Sequence, residues 1–326
     1  MNYLELAVGL VLLLGSAEVM IRAAVALARS LGLSQLMIGM TVVAFGTSAP
    51  ELLVALDAAL SGAPGVALGN VVGSNIANVL LIAAAAALIY PIAREAGRAA
   101  WNGWSLIVCS AIFVAVCLTG ELGRPAGLGL LAVFAVYMWM AHRRDRAGNN
   151  GNVADDRAAG DEDGPVDTAA PAKIKAAVVS VLGLAGVAWG ADLTVQGAVG
   201  IATDFGLSAE IIGLTVIAIG TSLPELAASA AAARRGHPDV ALGNILGSNI
   251  FNMLLIGGIT AVVAPLPVSQ SMRVFDLWVM LAAAVAVAPV LMGRAGVGRL
   301  TAALFLLSYA GFMAALAWNV LGRLAG

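Results

Sequence analysis

The stretches GTSAPEL at residues 46–52 and GTSLPEL at residues 220–226 decide the fold of this chain, because they are two copies of one motif. Residues 39–82 align with residues 213–256 without a gap at a constant offset of 174, and 27 of the 44 aligned positions are identical. Repetition at a fixed offset indicates that one structural unit occurs twice. The chain is therefore built from two related halves.

The composition places both halves in a lipid bilayer. Of the 326 residues, 61% are hydrophobic and only 11% are charged, which lies outside the range of soluble globular domains. Apolar runs long enough to cross the bilayer as helices, about 20 residues each, recur along nearly the whole chain. We predict an all-α polytopic membrane protein with ten transmembrane helices, at 4–28, 36–60, 65–89, 103–120, 125–142, 175–200, 209–233, 239–263, 275–292 and 299–321.

The number of spans fixes how the two halves relate. Each half contains five spans, and an odd number makes the second half cross the membrane in the opposite sense from the first. Inverted repeats of this kind recur in secondary transporters, with the substrate site at the repeat interface near the bilayer midplane. We predict two inverted five-helix repeats, residues 1–142 and 175–326, joined by a flexible acidic linker at 143–174.

Charge placement predicts the orientation of the chain. With the N-terminus outside, thirteen Lys and Arg residues fall on the cytoplasmic side and three fall outside, namely Arg124, Arg273 and Arg323. This positive-inside bias predicts that both termini lie outside and that the linker is cytoplasmic. The net charge of −2 argues against a nucleic-acid partner. The state of assembly is left open, with a monomer expected to suffice.

The linker carries a cluster of acidic residues with two interpretations. A regulatory cation sensor is one, although the alternating ligands and terminal Glu of an EF-hand loop are missing. We favour a solvated linker, since blocks of like charge are usually disordered. The cluster comprises Asp155, Asp156, Asp161, Glu162, Asp163 and Asp167.

Two glutamates lie deep in predicted spans, Glu51 in the second and Glu225 in the seventh. An uncompensated carboxylate at the bilayer centre costs at least about 2.5 kcal/mol, so such residues usually line a pathway. The alternative is a protonated or hydrogen-bonded packing device. Hydroxyls three and four residues earlier share the helical face of each glutamate and favour an oxygen-rich ion site. They are Thr47, Ser48, Thr221 and Ser222.

Proline and glycine interrupt the same two helices. Pro50 and Pro224 have no N–H to donate and clash with the carbonyl four residues earlier, which kinks a helix and releases backbone oxygens. Proline by itself is often a mere kink. Beside Gly46 and Gly220, which loosen the helix further, we predict a broken helix that binds ions.

The following spans supply further polar groups in the stretches GNVVGSNIAN at 69–78 and GNILGSNIFN at 243–252. A serine and an asparagine four residues apart share a helical face in each stretch, Ser74 with Asn78 and Ser248 with Asn252. Further asparagines flank them at positions 70, 75, 244 and 249. Two glycine pairs permit close helix contact, including Gly73 and Gly247.

The donor set of both motifs is carboxylate, hydroxyl, amide oxygen and backbone carbonyl. Neither motif contains a thiolate or an imidazole. Oxygen donors suit hard cations such as Ca²⁺ or Na⁺ and argue against zinc or copper. Two ionised glutamates neutralise one Ca²⁺. We therefore expect transported cations and no cofactor.

The paired G-T-S-x-P-E-L and G-N-x-x-G-S-N-I-x-N motifs resemble the calcium/cation antiporter superfamily. The resemblance is to its sodium/calcium exchanger branch, most closely bacterial inner-membrane members of the YrbG type, and covers nearly the whole chain. It implies a site formed by helices 2, 3, 7 and 8, with Glu51 and Glu225 as central ligands of Ca²⁺ and Na⁺. It further implies hydroxyl ligands, amide ligands and backbone-carbonyl donors, namely Thr47, Ser48, Thr221, Ser222, Ser74, Ser248, Asn78, Asn252, Ala44 and Ala218.

One position departs from some members of the resembled group. Potassium-dependent exchangers and certain archaeal relatives carry Asp where this chain has Asn252. The resemblance therefore implies a potassium-independent Na⁺/Ca²⁺ antiporter.

Three other functions are weighed against sodium/calcium exchange. A Ca²⁺/H⁺ or other cation/H⁺ antiporter is the nearest, because a buried carboxylate can carry a proton. A passive cation channel could use the same oxygen ligands, although a closed site with deep carboxylates suits trapping better than rapid conduction. An intramembrane hydrolase based on Ser48 lacks a placed His or Lys to activate the serine, so we expect no enzyme.

Overall fold

A computed structural model describes residues 1–31, 33–92, 100–152, 170–205 and 220–324 of the chain. Helices account for nearly all of these residues. In chain order they are α1 (Asn2–Leu31), α2 (Gln35–Thr47), α3 (Ala49–Leu60), α4 (Pro64–Ile89), α5 (Trp101–Cys117), α6 (Arg124–Asn152), α7 (Ala170–Asp204), α8 (Leu223–Arg234), α9 (Pro238–Val263), α10 (Met272–Leu291) and α11 (Arg299–Leu324).

Every predicted span contains a helix, and the prediction of an all-α polytopic membrane protein is confirmed. Seven helices are long and apolar enough to cross a membrane, and the bent pair α2 and α3 provides an eighth span. The fourth span is the shorter apolar helix α5. The seventh span is described only from residue 220, where α8 forms its second half.

The ends of the linker are helical. α6 continues to Asn152, so its last turns occupy residues that we predicted as linker, and α7 already begins at Ala170. The acidic cluster of the linker lies outside the described residues. Cys109 and Cys117 of α5 are buried free thiols.

α4 and α9 form the centre of the bundle, because 72% and 83% of the residues in their 18-residue apolar stretches are buried, against 17% for α11. These two helices carry the GSN stretches. The peripheral helices expose leucine, valine and tryptophan side chains, such as Trp318 of α11, which suits contact with lipid. The polar motifs are thus placed where the protein is most enclosed.

The second span breaks at Ser48, and its two helices meet at an angle of 42°. Ser48 has φ −85° and ψ 4°, and Pro50 sits in the first turn of α3, where a missing N–H costs nothing. The second copy repeats the break at Ser222, with φ −92°, ψ 5° and Pro224 in the first turn of α8. Each proline therefore starts a new helix beside its glutamate.

In the part of the chain that the structure describes, three wider helical segments of π type lie near the motifs. Asn78–Ile82 widens α4 and Phe251–Ile256 widens α9, and they occupy equivalent places in the two repeats. A third, Gly39–Val43, lies in α2 directly before Ala44. Single π turns inside α-helices frequently mark functional sites.

Two short backbone pairings join loops at the ends of the bundle. Strands β1 (Glu121–Leu122) and β2 (Leu266–Pro267) pair antiparallel, and Ile92 pairs with Val297. Ile92 and Leu266 are 174 residues apart, and their partners Val297 and Leu122 are 175 apart, so one pairing is the repeat equivalent of the other. Paired loops must lie at the same face of the membrane. If the chain crosses the membrane ten times, the two loops of each pairing lie at the same face.

α1 and α7 pack against each other as a close antiparallel pair. A Cβ added at Gly190 of α7 would lie 2.4 Å from the backbone nitrogen of Leu13, and one at Gly197 would lie 2.5 Å from that of Leu6. Small residues let transmembrane backbones approach closely. α1 and α7 are the first helices of their respective repeats, so their contact joins the two halves of the chain.

An ionic cluster fastens α1 to the end of α8. The Glu18 carboxylate of α1 accepts hydrogen bonds from Arg234 and from Arg235, whose Nε is 2.6 Å away. Arg22, one turn along α1, contributes a third contact at 3.3 Å. The repeat equivalents of the two α8 arginines are Leu60 and Ser61, which carry no charge.

Candidate ion-binding site

The two motif glutamates lie at matching helix starts in the middle of the chain's most enclosed region. Glu51 is in the first turn of α3 and Glu225 in the first turn of α8, and each side chain is 1% exposed. The first turn of a helix leaves N–H groups unpaired and carries a partial positive charge, which favours a carboxylate there. The helix breaks thus help each glutamate to be buried.

Side chains from the two repeats meet at this place. The Ser48 hydroxyl of the first motif donates a hydrogen bond of 3.0 Å to Oε1 of Glu225 in the second. The Thr47 hydroxyl lies 3.3 Å from Oδ1 of Asn244, also in the second repeat. The paired motifs therefore form one site.

Most polar atoms without a partner in the described part of the chain cluster at this site. They include both carboxylate oxygens of Glu51, one of Glu225, two serine hydroxyls and the complete side-chain amides of two asparagines. Buried polar groups normally have hydrogen-bond partners, so an unpaired cluster calls for a ligand. The residues concerned are Glu51, Glu225, Ser222, Ser248, Asn78 and Asn252.

The chemistry of these atoms suits a hard cation. The donors are carboxylate, hydroxyl and amide oxygens, which Ca²⁺ and Na⁺ prefer over nitrogen or sulfur ligands. Among the described residues no group of three or more His, Cys, Asp and Glu side chains lies together. Two carboxylates are therefore the strong anionic ligands that the site offers.

The other predicted ligands vary in their surroundings. Thr47 and Ser74 are buried, whereas Thr221 is partly exposed. The Ala44 carbonyl accepts the Ser48 N–H at 3.0 Å and lies 3.4 Å from the Thr47 hydroxyl, which shows that it faces the helix break. Ala218 lies outside the described residues.

Three of the four predicted packing glycines lie at helix contacts, whereas the prediction is wrong for Gly73, where an added Cβ would meet no described atom within 4 Å. A Cβ on Gly46 would lie 2.3 Å from the Leu184 side chain of α7, and one on Gly220 would lie 2.4 Å from Val195 of the same helix. A Cβ on Gly247 of α9 would lie 2.4 Å from the backbone carbonyl oxygen of Met40 in α2. The contact of Gly247 brings the site helices α9 and α2 close together, and those of Gly46 and Gly220 bring both motifs close to α7.

Two asparagines have a role that the sequence did not reveal. The Asn70 side-chain amide donates 3.1 Å to the backbone carbonyl of Glu51, and Asn244 donates 3.3 Å to the backbone carbonyl of Glu225. The recurrence of Asn after Gly in both repeats was visible, but a bond to a carbonyl of another helix was not. Each glutamate is thereby tied to the next span.

The two halves of the site are not identical. The bond from Ser48 to Glu225 has no counterpart among the described contacts, since the Ser222 hydroxyl and both oxygens of Glu51 are unpaired. The sequence identity of the motifs did not predict this difference. One carboxylate is already engaged by the opposite repeat, and the other is not.

An enclosed set of oxygen atoms to which two related halves of a helical membrane bundle contribute is typical of a membrane ion transporter. The sequence model of the family described as "Sodium/calcium exchanger protein" matches residues 2–142 and 175–318. The chain belongs to the sodium/calcium exchanger family, whose members are transporters and not enzymes.

Similar proteins cover most of the chain. It is 40% identical over 291 residues to the putative antiporter CaxA of Alkalimonas amylolytica, covering 86% of both chains. It is 36% identical over 268 residues to the inner membrane protein YrbG of Escherichia coli K12, covering 80% of this chain and 79% of that one. The structure of the sodium-calcium exchanger NCX_Mj soaked without Na⁺ and Ca²⁺ superposes with a TM-score of 0.83 at 28% identity, covering 97% and 98% of the two chains.

Proposed function

We propose that this protein is a Na⁺/Ca²⁺ antiporter, which binds its ions at a site near the membrane midplane. The site lies between α2–α3, α4, α8 and α9, the second, third, seventh and eighth spans. The observation that carries the proposal is the set of buried side-chain oxygens without a hydrogen-bond partner in the described part of the chain, to which both repeats contribute and which includes oxygens of Glu51 and Glu225. Family membership and the likeness to an exchanger of known structure support it.

Charge balance accounts for competition between the two ions. Two ionised carboxylates neutralise one Ca²⁺, or two Na⁺ at a different time. Neutral hydroxyl and amide oxygens can complete either shell. An empty site leaves two buried negative charges uncompensated, which is costly inside the bilayer. The protein therefore changes the side to which its site is open only when Ca²⁺ or Na⁺ is bound, which couples the movement of one ion to that of the other.

The ligand roles follow from position and surroundings. Glu51 and Glu225 supply the carboxylates, and the amides of Asn78 and Asn252 supply neutral oxygens at the π segments of α4 and α9. The hydroxyl ligands are Thr47, Ser48, Thr221, Ser222, Ser74 and Ser248, with Ala44 and Ala218 giving backbone carbonyls to sodium.

Inverted symmetry supports alternating access as the transport cycle. Each repeat can adopt the conformation that the other shows, which opens the site to the opposite side. In a protein with two conformations, a bound ion shifts the equilibrium toward the conformation that binds it more tightly. Glu225 accepts a hydrogen bond from the opposite repeat and, among the described residues, Glu51 does not. This difference supports a cycle in which the two repeats adopt different conformations.

We further propose potassium independence, because Asn252 contributes an amide where a third carboxylate would add charge. Domain organisation is proposed as 1–142 and 175–326 for the repeats and 143–174 for a cytoplasmic linker. The positive-inside bias supports outside termini. The similarity to a protein described as an inner membrane protein supports the bacterial inner membrane.

A Ca²⁺/H⁺ antiporter remains the second candidate, because both carboxylates are buried and could carry a proton. The hydroxyl and amide oxygens favour sodium, since a proton has no need of a coordination shell. The two functions differ in which gradient drives calcium uptake.

Transport in proteoliposomes tests the proposal. Vesicles loaded with Na⁺ are diluted into Na⁺-free medium containing radioactive calcium, and uptake is compared under imposed Na⁺, H⁺ or K⁺ gradients. We expect uptake only with the Na⁺ gradient. Uptake driven by a pH gradient and indifferent to sodium would replace the proposal with proton exchange, and uptake independent of every counter-ion would indicate a channel.

Single substitutions test the site itself. Glu51→Gln or Glu225→Gln removes one of two site charges, and we expect coupled flux to fall at least about 100-fold, the effect of losing a buried charged ligand. Glu121→Gln is the matched control, because Glu121 is exposed in β1 away from the site. Normal flux in either site variant would overturn the assignment.

A further inference from the structure

Asn244 of α9 is the most connected polar side chain at the site, although it is not one of the proposed ligands. Its Nδ2 donates to the Ser229 hydroxyl at 2.9 Å and to the Glu225 backbone carbonyl at 3.3 Å. Its Oδ1 lies 3.3 Å from the hydroxyl of Thr47. The side chain therefore links a carboxylate residue of one repeat to a hydroxyl residue of the other.

The partners of the amide fix its orientation. A side-chain amide has two N–H donors and one carbonyl acceptor. If the amide were flipped, Oδ1 would face the Glu225 carbonyl, which cannot donate. Asn244 is 1% exposed and Ser229 is fully buried, so neither side chain can form a hydrogen bond with bulk water. Oδ1 must accordingly point at Thr47.

This orientation decides where the Thr47 proton lies. A hydroxyl has one proton and two lone pairs, and it binds a cation only through a lone pair. Thr47 has three acceptors for its proton: Oδ1 of Asn244 at 3.3 Å, the carbonyl of Ala44 at 3.4 Å and the carboxylate of Glu225. When the Ala44 carbonyl and the Glu225 carboxylate turn to the ion, as proposed above, Asn244 is the remaining acceptor.

We propose that Asn244 is a positioning residue for ion binding, and that Ser229 sets its orientation. Asn244 accepts the Thr47 proton, so that the hydroxyl presents a lone pair to the ion, and it holds the backbone of Glu225. The inference rests on the proposed exchange function and adds two residues that do not touch the ion.

The repeat comparison shows that Ser229 is particular to the second half. Asn70 makes the equivalent bond to the Glu51 carbonyl, but position 55 is Ala where the second repeat has Ser229. Because alanine occupies the equivalent place in a homologous helix, Ser229→Ala should fold. This makes it a cleaner probe than a change of Asn244.

The experiment measures KM and maximal rate for Ca²⁺ in Na⁺-loaded proteoliposomes. We expect Ser229→Ala to raise KM about 3- to 10-fold, the effect of one hydrogen bond, with a maximal rate within about twofold of the parent. Ser180→Ala is the matched control, because Ser180 is buried in α7 and bonds only to Ala176 of its own helix. It should leave KM unchanged.

A double-substitution cycle separates positioning from a general effect on structure. In a Thr47→Val background, Ser229→Ala should raise KM by less than in the parent, because the proton that it helps to place is gone and only the contact of Asn244 with the Glu225 backbone is left to weaken. An equal increase in both backgrounds, or an unchanged KM in the single variant, would overturn the inference. If Ser229→Ala fails to insert, Asn244→Ala is compared with and without Thr47→Val under the same criterion.

The parent protein keeps this result distinct from the proposed function. If it shows no sodium-driven calcium uptake, sodium exchange itself is wrong. If it exchanges normally while the cycle is additive, only the positioning roles of Asn244 and Ser229 are wrong.

Discussion

Ser48 and Ser222 occupy the same motif position, but the structure predicts different consequences of removing them. Both are 2% exposed. The Ser48 hydroxyl donates 3.0 Å to the Glu225 carboxylate, whereas the Ser222 hydroxyl has no partner among the described residues. Alanine at either position removes one proposed ion ligand. Only Ser48→Ala also breaks a bond that exists without ions.

The size of the difference follows from hydrogen-bond energetics. A hydrogen bond contributes about 0.5–1.5 kcal/mol between neutral groups and about 1.5–3 kcal/mol to a charged one, so Ser48→Ala should lower the free energy of unfolding of the ion-free protein by about 0.5–3 kcal/mol. Ser222→Ala removes a buried hydroxyl that has no bond to lose, and leaving such a group unpaired costs about 1–3 kcal/mol. Its ion-free stability should therefore stay the same or increase.

Thermal unfolding of the detergent-solubilised protein measures both quantities. In chelator and sodium-free buffer, the midpoint should fall for Ser48→Ala and not for Ser222→Ala. Added Ca²⁺ should then stabilise both variants less than the parent, because each has lost a ligand and ligand binding adds to apparent stability. An equal fall of both midpoints in ion-free buffer would refute the proposed difference between the two halves.

Two further predictions concern helix contacts away from the site. Gly190→Ala should destabilise the protein by about 1–3 kcal/mol, since the added carbon meets the Leu13 backbone at 2.4 Å; Gly15→Ala, which meets no described atom within 4 Å, is the control in a thermal melt. Glu18→Gln should cost about 1 kcal/mol by weakening its bonds to the α8 arginines. That loss should shrink at high salt, and a salt-independent loss would contradict the ionic origin.

The architecture could be predicted from the sequence because its signals are long and redundant. Ten apolar runs set the helices, and the duplication at a fixed offset set the symmetry. The prolines located the helix breaks, since Pro50 and Pro224 each fall in the first turn after a break. The two deep glutamates indicated where the candidate site lies, because a charged side chain inside the bilayer is costly and usually serves a function.

The details that escaped prediction depend on contacts between helices. The π segments at Asn78–Ile82 and Phe251–Ile256 leave no mark on hydrophobic periodicity, because one extra residue per turn is absorbed within a continuous apolar run. The bond from Asn70 to the Glu51 carbonyl requires knowing how two spans are packed. The unequal surroundings of Ser48 and Ser222 could not be read from identical motifs.

The two loop pairings simplify the experimental determination of topology. The pairings of Leu122 with Leu266 and of Ile92 with Val297 bind four loops into two rims, one at each end of the bundle. If a residue in one of these four loops is labelled from a known side of the membrane, its paired loop must lie on the same side. The other two loops then lie on the opposite side, because one helix connects the two pairs. A single impermeant reagent on one engineered cysteine beside Val297 would therefore orient the whole chain.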